Sequence, residues 1–272
     1  MRPRLVDRFG RPVDGLRISV TGACNFACIY CHMEGAAGPA GDEMRPEEIG
    51  RIVRVASELG ITKVKLTGGE PTVRPDIVDV VASIAEVPGI EDISMTTNGS
   101  LLADLAYDLA DAGLARVNVS LDTLDPAKFE FITGRDCLPD VIDGIEAALD
   151  AGLRPLKINM VLLRGLNERE VWRMLEFARG RKAILQVIEL VKTPSVPEEI
   201  YKRYHAPLGP LEAELSSRAI RTIRRELQGR PKFFLPDGAE VELVGPVHNS
   251  SFCAKCRRLR LTADGKLKPC LM

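Results

Sequence analysis

The chain has 272 residues, 45% hydrophobic and 28% charged, with a formal net charge of −1 at pH 7. That is an ordinary globular composition rather than a disordered one, and the near-zero charge argues against a general nucleic-acid binder, which carries a basic excess. No apolar run approaches the ~18 residues a membrane span needs, and the basic start at Met1-Arg2-Pro3-Arg4 leads into no apolar signal core. A cytoplasmic protein with neither nucleic acid nor membrane as partner is expected.

In chain order, β-rich runs at 16–20, 63–66, 92–96, 116–120, 156–161 and 184–190 alternate with helical patterns at 46–59, 75–85, 101–112, 138–151 and 168–178. Gly60, Gly113, Gly152 and Gly180 stand where helix ends are expected. Strands alternating with helices of this length imply parallel βαβ units. Six of them predict an α/β fold, an incomplete (β/α)6 barrel of the TIM type over residues 1–190. Its chemistry should lie in loops at the C-terminal ends of the strands. Residues 191–272 read as a small C-terminal extension appended to the barrel. It has a connector at 192–210, a short helix at 211–218, and strands at 221–227, 232–235 and 240–244. Asp237-Gly238 suits a hairpin turn between the last two strands. The basic series Arg218, Arg221, Arg224, Arg225 and Arg230 reads as a solvated face able to steer an anion.

Seven cysteines, at 24, 28, 31, 137, 253, 256 and 270, fall as three, one and three. An odd number so clustered fits metal or redox chemistry better than a disulfide framework. Cys24-x3-Cys28-x2-Cys31 directly follows the first strand. Three thiolates can hold three irons of a four-iron cluster and leave the fourth open. A structural zinc site would want a fourth ligand, and His32, adjacent to Cys31, is poorly placed to supply one. Cys253-x2-Cys256-x13-Cys270 repeats the count, with His248 as the nearby alternative zinc ligand. Cys137, alone before a helix, reads as a small core residue.

With Tyr30 before Cys31, the first triad resembles the signature of the radical S-adenosylmethionine superfamily. Thr67-Gly68-Gly69-Glu70-Pro71, Thr96-Thr97-Asn98-Gly99 and Val119-Ser120-Leu121-Asp122 follow at three strand ends, although by themselves they also read as turns and caps. The resemblance implies a 4Fe–4S cluster on Cys24, Cys28 and Cys31. It also implies S-adenosylmethionine held at Tyr30, Gly69, Ser120 and Val191.

The second triad narrows the match. Together with Leu16-Arg17-Ile18-Ser19, Lys157-Ile158-Asn159-Met160, Ile188-Glu189-Leu190 and Leu267-Lys268-Pro269-Cys270, it is similar to the archaeal-type members of the GTP 3′,8-cyclase family of molybdenum cofactor biosynthesis. That similarity implies a second 4Fe–4S cluster on Cys253, Cys256 and Cys270 which meets the guanine. GTP would contact Arg17, Lys65, Thr96, Lys157, Arg258, Leu259 and Arg260, with Arg17, Arg258 and Arg260 serving the chemistry. It further implies a downstream cyclic pyranopterin monophosphate synthase and a low-potential donor such as ferredoxin or flavodoxin, and it leaves a homodimer open. The cations have a physical reason, because a buried triphosphate requires Arg or Lys partners. Arg258 and Arg260, two apart, would share one face of a strand. Lys65 and Lys157 lie in apolar strands, where an unpaired charge is costly.

Two departures from the family stand out. Gly22-Ala23 replaces a usual Asp-Arg pair, and Cys270-Leu271-Met272 stands where relatives continue toward a Gly-Gly tail. The competing readings are a radical enzyme with an auxiliary cluster acting on a peptide or tetrapyrrole, and a shortened non-catalytic metal-binding paralogue.

Overall fold

The structure, a computed structural model, describes residues 4–33, 43–245 and 249–270; His248 lies outside the described residues. Six strands pair in parallel and in sequence order: β1 (Gly15–Ser19), β2 (Lys63–Thr67), β3 (Asp92–Thr97), β4 (Arg116–Ser120), β5 (Lys157–Leu162) and β6 (Ile184–Glu189). Each lies within a residue of its expected bounds, and the incomplete (β/α)6 barrel is the fold of this region.

The helices between them are α1 (Pro46–Glu58), α2 (Ile77–Ala85), α3 (Leu102–Asp111), α4 (Pro126–Thr133), α5 (Leu138–Asp150) and α6 (Val171–Gly180). Ile49 and Val53 of α1, Ile84 of α2 and Ile145 of α5 share one buried core with Ile18, Leu66, Met95, Val117, Val119 and Ile158 of the strands. Cys137 packs half-buried against this core, as expected. Among the glycines expected at helix ends, Gly60, Gly113 and Gly152 have positive φ. Gly180 instead closes α6 itself, and the left-handed position falls to Lys182 at φ 53°. The sequence reading missed α4, although its signals are present. Asp125 Oδ1 accepts from Lys128 N at 3.1 Å, Pro126 opens the helix, and Gly134 ends it.

Beyond residue 190 come α7 (Glu198–Tyr204), α8 (Gly209–Arg218), β7 (Arg221–Arg224), β8 (Pro231–Phe234), β9 (Glu240–Val244), α9 (Ser250–Ala254), β10 (Arg258–Leu261) and β11 (Leu267–Lys268). The connector expected at 192–210 thus contains a helix. The Asp237-Gly238 turn between β8 and β9 is as expected, with Gly238 N on Leu235 O at 3.0 Å. The segment does more than sit on the barrel, because β9 pairs in parallel with β6 while β10 pairs in parallel with β1. Both edges of the six-stranded sheet, which would otherwise present unpaired backbone, are therefore covered by the C-terminal segment. Among the described residues, no helix is long and apolar enough to cross a membrane.

Side chains alternate across a strand, so the apolar core residues fix what faces inward. Val117 and Val119 face the helices, which leaves Asn118 and Ser120 for the interior. The same logic turns Arg17, Lys65, Lys157, Gln186, Glu242, Arg258 and Arg260 inward. The interior is polar and cationic.

Candidate active site

The loop carrying Cys24, Cys28 and Cys31 follows the C-terminal end of β1. The Gly68-Gly69-Glu70 turn after β2 is laced to it, with Gly69 N donating to Thr21 O at 2.8 Å and Glu70 N to Ala23 O at 2.7 Å. The approach is so close that a methyl group on Gly69 would stand 2.0 Å from Ala23 O. Glu70 is buried and accepts from Thr72 Oγ1 and Thr97 Oγ1, both at 2.6 Å, and from Asn98 N at 2.5 Å. Burial raises its proton affinity, and those donors pull the other way. Asn98 Nδ2 then reaches Asn25 Oδ1, inside the cysteine loop, at 2.7 Å. Two motifs that separately read as a turn and a cap are one hydrogen-bonded assembly with the cysteine loop.

Two further residues hold this loop. Tyr30 donates its hydroxyl to Asp122 Oδ2, while Val161 N donates to Asp122 Oδ1 at 2.7 Å. Burial pushes the Asp122 carboxyl up to about 6, with the bonds from Tyr30 and Val161 opposing it. Glu43 escaped the sequence reading, having no motif around it. Its Oε1 accepts from Thr21 Oγ1 at 2.5 Å and Gly22 N at 3.1 Å, anchoring the Gly22-Ala23 stretch where the family's Asp-Arg is missing.

The first triad fits a cluster by its donor chemistry. Cys24 and Cys31 are exposed and Cys28 is half-buried. Phe26 N and Met33 N lie 3.4 Å from the Cys24 and Cys31 sulfurs, as donors to thiolates do. Burial raises the Cys24 and Cys28 thiols, and the neighbouring thiols add to that, a penalty that bound iron offsets. Among the described residues no three such ligands converge on a single ion; a cubane spreads its thiolates over separate irons.

Inside the barrel, strand register sets Arg260 beside Arg17 and Arg17 beside Lys65. Lys65 Nζ lies 3.5 Å from Thr96 Oγ1, so two expected nucleotide contacts meet. Burial holds Lys65 well below the usual lysine range, and its strongest charged neighbours, Arg17, Arg258, Arg116 and Lys157, are all cations. Arg258 is drawn down to about 9 by burial and by Arg17 and Arg230, and so stays charged at neutral pH. Lys157 Nζ sits 2.5 Å from Glu242 Oε2, on fully buried β9 carboxylate. Leu259, between the two arginines, packs against the hydrophobic core, which leaves only its backbone for a ligand. Ser120 closes β4, and Val191 follows β6, both half-buried.

The spacing of the second triad is that of a hairpin. β10 and β11 pair with Arg260 opposite Lys268, and continuing that register sets Cys270 opposite Arg258, two residues from Cys256. Because β10 runs parallel to β1 with Arg258 beside Gly15, Cys256 lies at the N-terminal end of the strands. The first triad lies at the C-terminal end. The two triads thus stand at opposite ends of the strands, rather than together on the C-terminal rim where the barrel rule led one to expect the site. Five residues of strand separate the ends, roughly 16 Å at about 3.3 Å per residue. Arg11, another residue the sequence reading missed, donates from Nη1 to Cys253 O and is held by Asp7 at 2.6 Å.

The basic series is divided rather than uniformly solvated. Arg218 pairs with Glu214 and lies over Trp172, whereas Arg230 is buried against Glu242, with Arg225 alongside at 3.3 Å.

Comparison with known proteins agrees with this geometry. The model of the radical SAM superfamily matches residues 18–178, and that of the molybdenum cofactor synthesis C-terminal region matches residues 183–272. Streptococcus suis SuiB bound to S-adenosylmethionine superposes with a TM-score of 0.72 at 18% identity, over 95% of this chain and 60% of that one. Native anSMEcpe with bound AdoMet gives 0.61 at 16%, over 94% and 74%. The chain belongs to the radical S-adenosylmethionine superfamily.

The sequence relatives are more specific. A probable GTP 3′,8-cyclase of Methanothermobacter marburgensis is 55% identical over 98% of this chain and 87% of its own length. One from Thermococcus kodakarensis is 52% identical over 98% and 88%. Within the superfamily, the chain belongs to the GTP 3′,8-cyclase family.

Proposed function

We propose that this protein is a GTP 3′,8-cyclase, a radical lyase that converts GTP to 3′,8-cyclo-7,8-dihydro-GTP in molybdenum or tungsten cofactor biosynthesis. The observation that carries the reading is the cationic barrel interior between two cysteine triads at opposite strand ends. In this reading Cys24, Cys28 and Cys31 hold the first 4Fe–4S cluster, and Cys253, Cys256 and Cys270 hold the second. With S-adenosylmethionine bound, the cluster on Cys24, Cys28 and Cys31 would supply one-electron radical chemistry, and the barrel residues would hold GTP so that its ribose C3′ and guanine C8 can be joined.

The residues of this chain bind, orient and exclude water. Tyr30, fixed by Asp122, and Gly69, pressed against Ala23, shape the S-adenosylmethionine side with Ser120 and Val191. Arg17, Lys65, Lys157, Arg258 and Arg260 offset the triphosphate charge, and Thr96 and the backbone of Leu259 add polar contacts. Alignment of the reacting carbons in a dry site supplies much of the rate. Arg17, Arg258 and Arg260, nearest the second triad in register, bear most directly on the reacting nucleotide.

The low-potential donor is a ferredoxin or flavodoxin type, and the product passes to a cyclic pyranopterin monophosphate synthase. The protein works in the cytoplasm, where free thiols persist, as a monomer or a homodimer. Anaerobic reconstitution tests the reading. Binding of about eight irons, with deoxyadenosine and a cyclised nucleotide formed from GTP and deuterium carried from the ribose 3′ position into deoxyadenosine, supports it. A zinc-loaded colourless protein, or deoxyadenosine made with peptide but never with GTP, refutes it.

A further inference from the structure

Glu242 of β9 has no exposed surface, yet it serves three cations: Lys157 Nζ at 2.5 Å, Arg230 Nη1 at 2.9 Å and Arg225 Nη1 at 3.3 Å. Lys157 and Arg230 are buried while Arg225 is partly exposed, and one carboxylate cannot neutralise even the two buried cations. Arg17 and Arg258 lie in the same field, since Arg230 feels Arg17 and Arg258 feels both Arg17 and Arg230. Surplus buried positive charge is unfavourable unless paired.

Arg230 also carries a buried Nε with no hydrogen-bond partner among the described residues. Its side chain is 8% exposed. A buried guanidinium donor left unpaired has a cost that a ligand oxygen removes. The chain brings it here deliberately. Gln228 at φ 61° and Gly229 at φ 63° reverse the backbone between β7 and β8, and Gln228 N donates to Lys255 O at 3.1 Å. The turn that delivers Arg230 is thereby tied to Lys255, one of the two residues between Cys253 and Cys256.

We propose that Arg230 is a further polyphosphate-binding residue, and that Glu242 is the positioning residue that holds Arg230 and Lys157 toward the phosphates. The inference rests on the GTP reading and deepens it: this wall recognises the number of phosphates, not the base. A guanidinium fork suits phosphate oxygens, and each added phosphate relieves more of the surplus charge. GTP is therefore favoured over GMP here.

The test is equilibrium binding of GTP, GMP and inorganic tripolyphosphate to the anaerobically reconstituted full chain and to Arg230→Gln, Arg230→Lys and Glu242→Gln. Arg230→Gln should weaken GTP and tripolyphosphate at least tenfold while moving GMP less than twofold. Arg230→Lys should recover part of the loss. Glu242→Gln should narrow the GTP-to-GMP ratio, because both cations lose their fixed positions. Equal weakening of GTP and GMP in Arg230→Gln, or no weakening of either, overturns the proposal. If the wild type binds tripolyphosphate through Arg230 but gains nothing from guanosine, the cyclase reading fails and the inference stands.

Discussion

Replacing Glu242 by glutamine preserves shape and removes the charge that Lys157 and Arg230 face at 2.5 and 2.9 Å. Breaking a fully buried ion pair by removing one partner costs about 3–5 kcal/mol. A chain of this size shifts its midpoint by roughly 2–4 °C per kcal/mol, so a drop on the order of 10 °C is expected. The assay is thermal unfolding of the metal-free chain by circular dichroism under reducing conditions. The pH dependence gives a second reading. Burial raises the Glu242 carboxyl, but Lys157 and Arg230 outweigh it, so its folded value lies below the ordinary 4.5. Its stabilisation is present above that ordinary value and is lost as pH falls through the lower folded value.

Lys157 adds a second, higher window of the same sign. Burial, partly opposed by Glu242, draws it down to about 8 from 10.5. Between those values the unfolded chain binds the extra proton, so stability rises with pH across that window. The deficit of Glu242→Gln should therefore be greatest near neutrality, shrink toward pH 10 as Lys157 goes neutral, and vanish in acid. Adding Lys157→Met should recover part of it, which a double-mutant cycle isolates. A midpoint within 1 °C of wild type at pH 7, or a deficit that does not change with pH, would refute the reasoning.

At Gly69, alanine must push Ala23 O back from 2.0 Å, breaking the two backbone bonds between the turn and the cysteine loop. Binding of labelled S-adenosylmethionine should weaken at least tenfold, and an unchanged affinity would count against the close approach. Cys256→Ala should leave uncoupled S-adenosylmethionine cleavage in place while weakening GTP binding and lowering iron by about half; retained formation of the nucleotide product would remove the second-triad assignment. Asp122→Ala strands the Tyr30 hydroxyl and Val161 N at a buried position, which costs about 1–3 kcal/mol for each group left unpaired. Asp122→Asn keeps an acceptor and should lose less, so equal losses measured by chemical denaturation would be inconsistent with the hydrogen-bond argument.

The six barrel strands were legible because each combines β-branched or apolar residues on the helix-facing side with a helical stretch before the next strand. Lys65 and Lys157 were legible as charges in apolar strands, whereas Thr96 was legible only through the family resemblance; the structure sets Thr96 3.5 Å from Lys65. Arg230 was not. It shares a run with Arg221, Arg224 and Arg225, and only the reversal at Gln228 and Gly229 turns it inward while Arg221 and Arg224 stay outside. Glu242 in β9 reads locally as a solvent-side glutamate, because its partners come from β5 and from the β7–β8 turn, more than ten residues away. Glu43 holds the Thr21 hydroxyl and Gly22 N, and Arg11 a backbone carbonyl at Cys253, roles that residue type does not announce. β10 is four residues long and was visible only as two alternating arginines.

Residues 1–190 and 191–272 can be read as two parts of one chain, but the sheet predicts that the first does not fold without the second. β10 and β9 each match four residues of β1 and β6 in register. Removing them exposes both edges and takes away the carboxylate facing Lys157. The C-terminal segment also contributes Leu215, Phe233, Val241, Leu243 and Leu261 to the common core. At about 2 kcal/mol for each buried side chain, that is roughly 10 kcal/mol, comparable with the whole stability of an ordinary domain, about 5–15 kcal/mol. A chain ending at residue 190 should be insoluble or lack a cooperative melt, even though it retains Cys24, Cys28 and Cys31 and every residue proposed for S-adenosylmethionine except Val191. Co-expression with residues 191–272 should restore both the melt and iron uptake at the first triad. Cooperative unfolding of residues 1–190 alone would mean that the barrel edges are self-sufficient, and that the C-terminal segment supplies substrate contacts without supporting the fold.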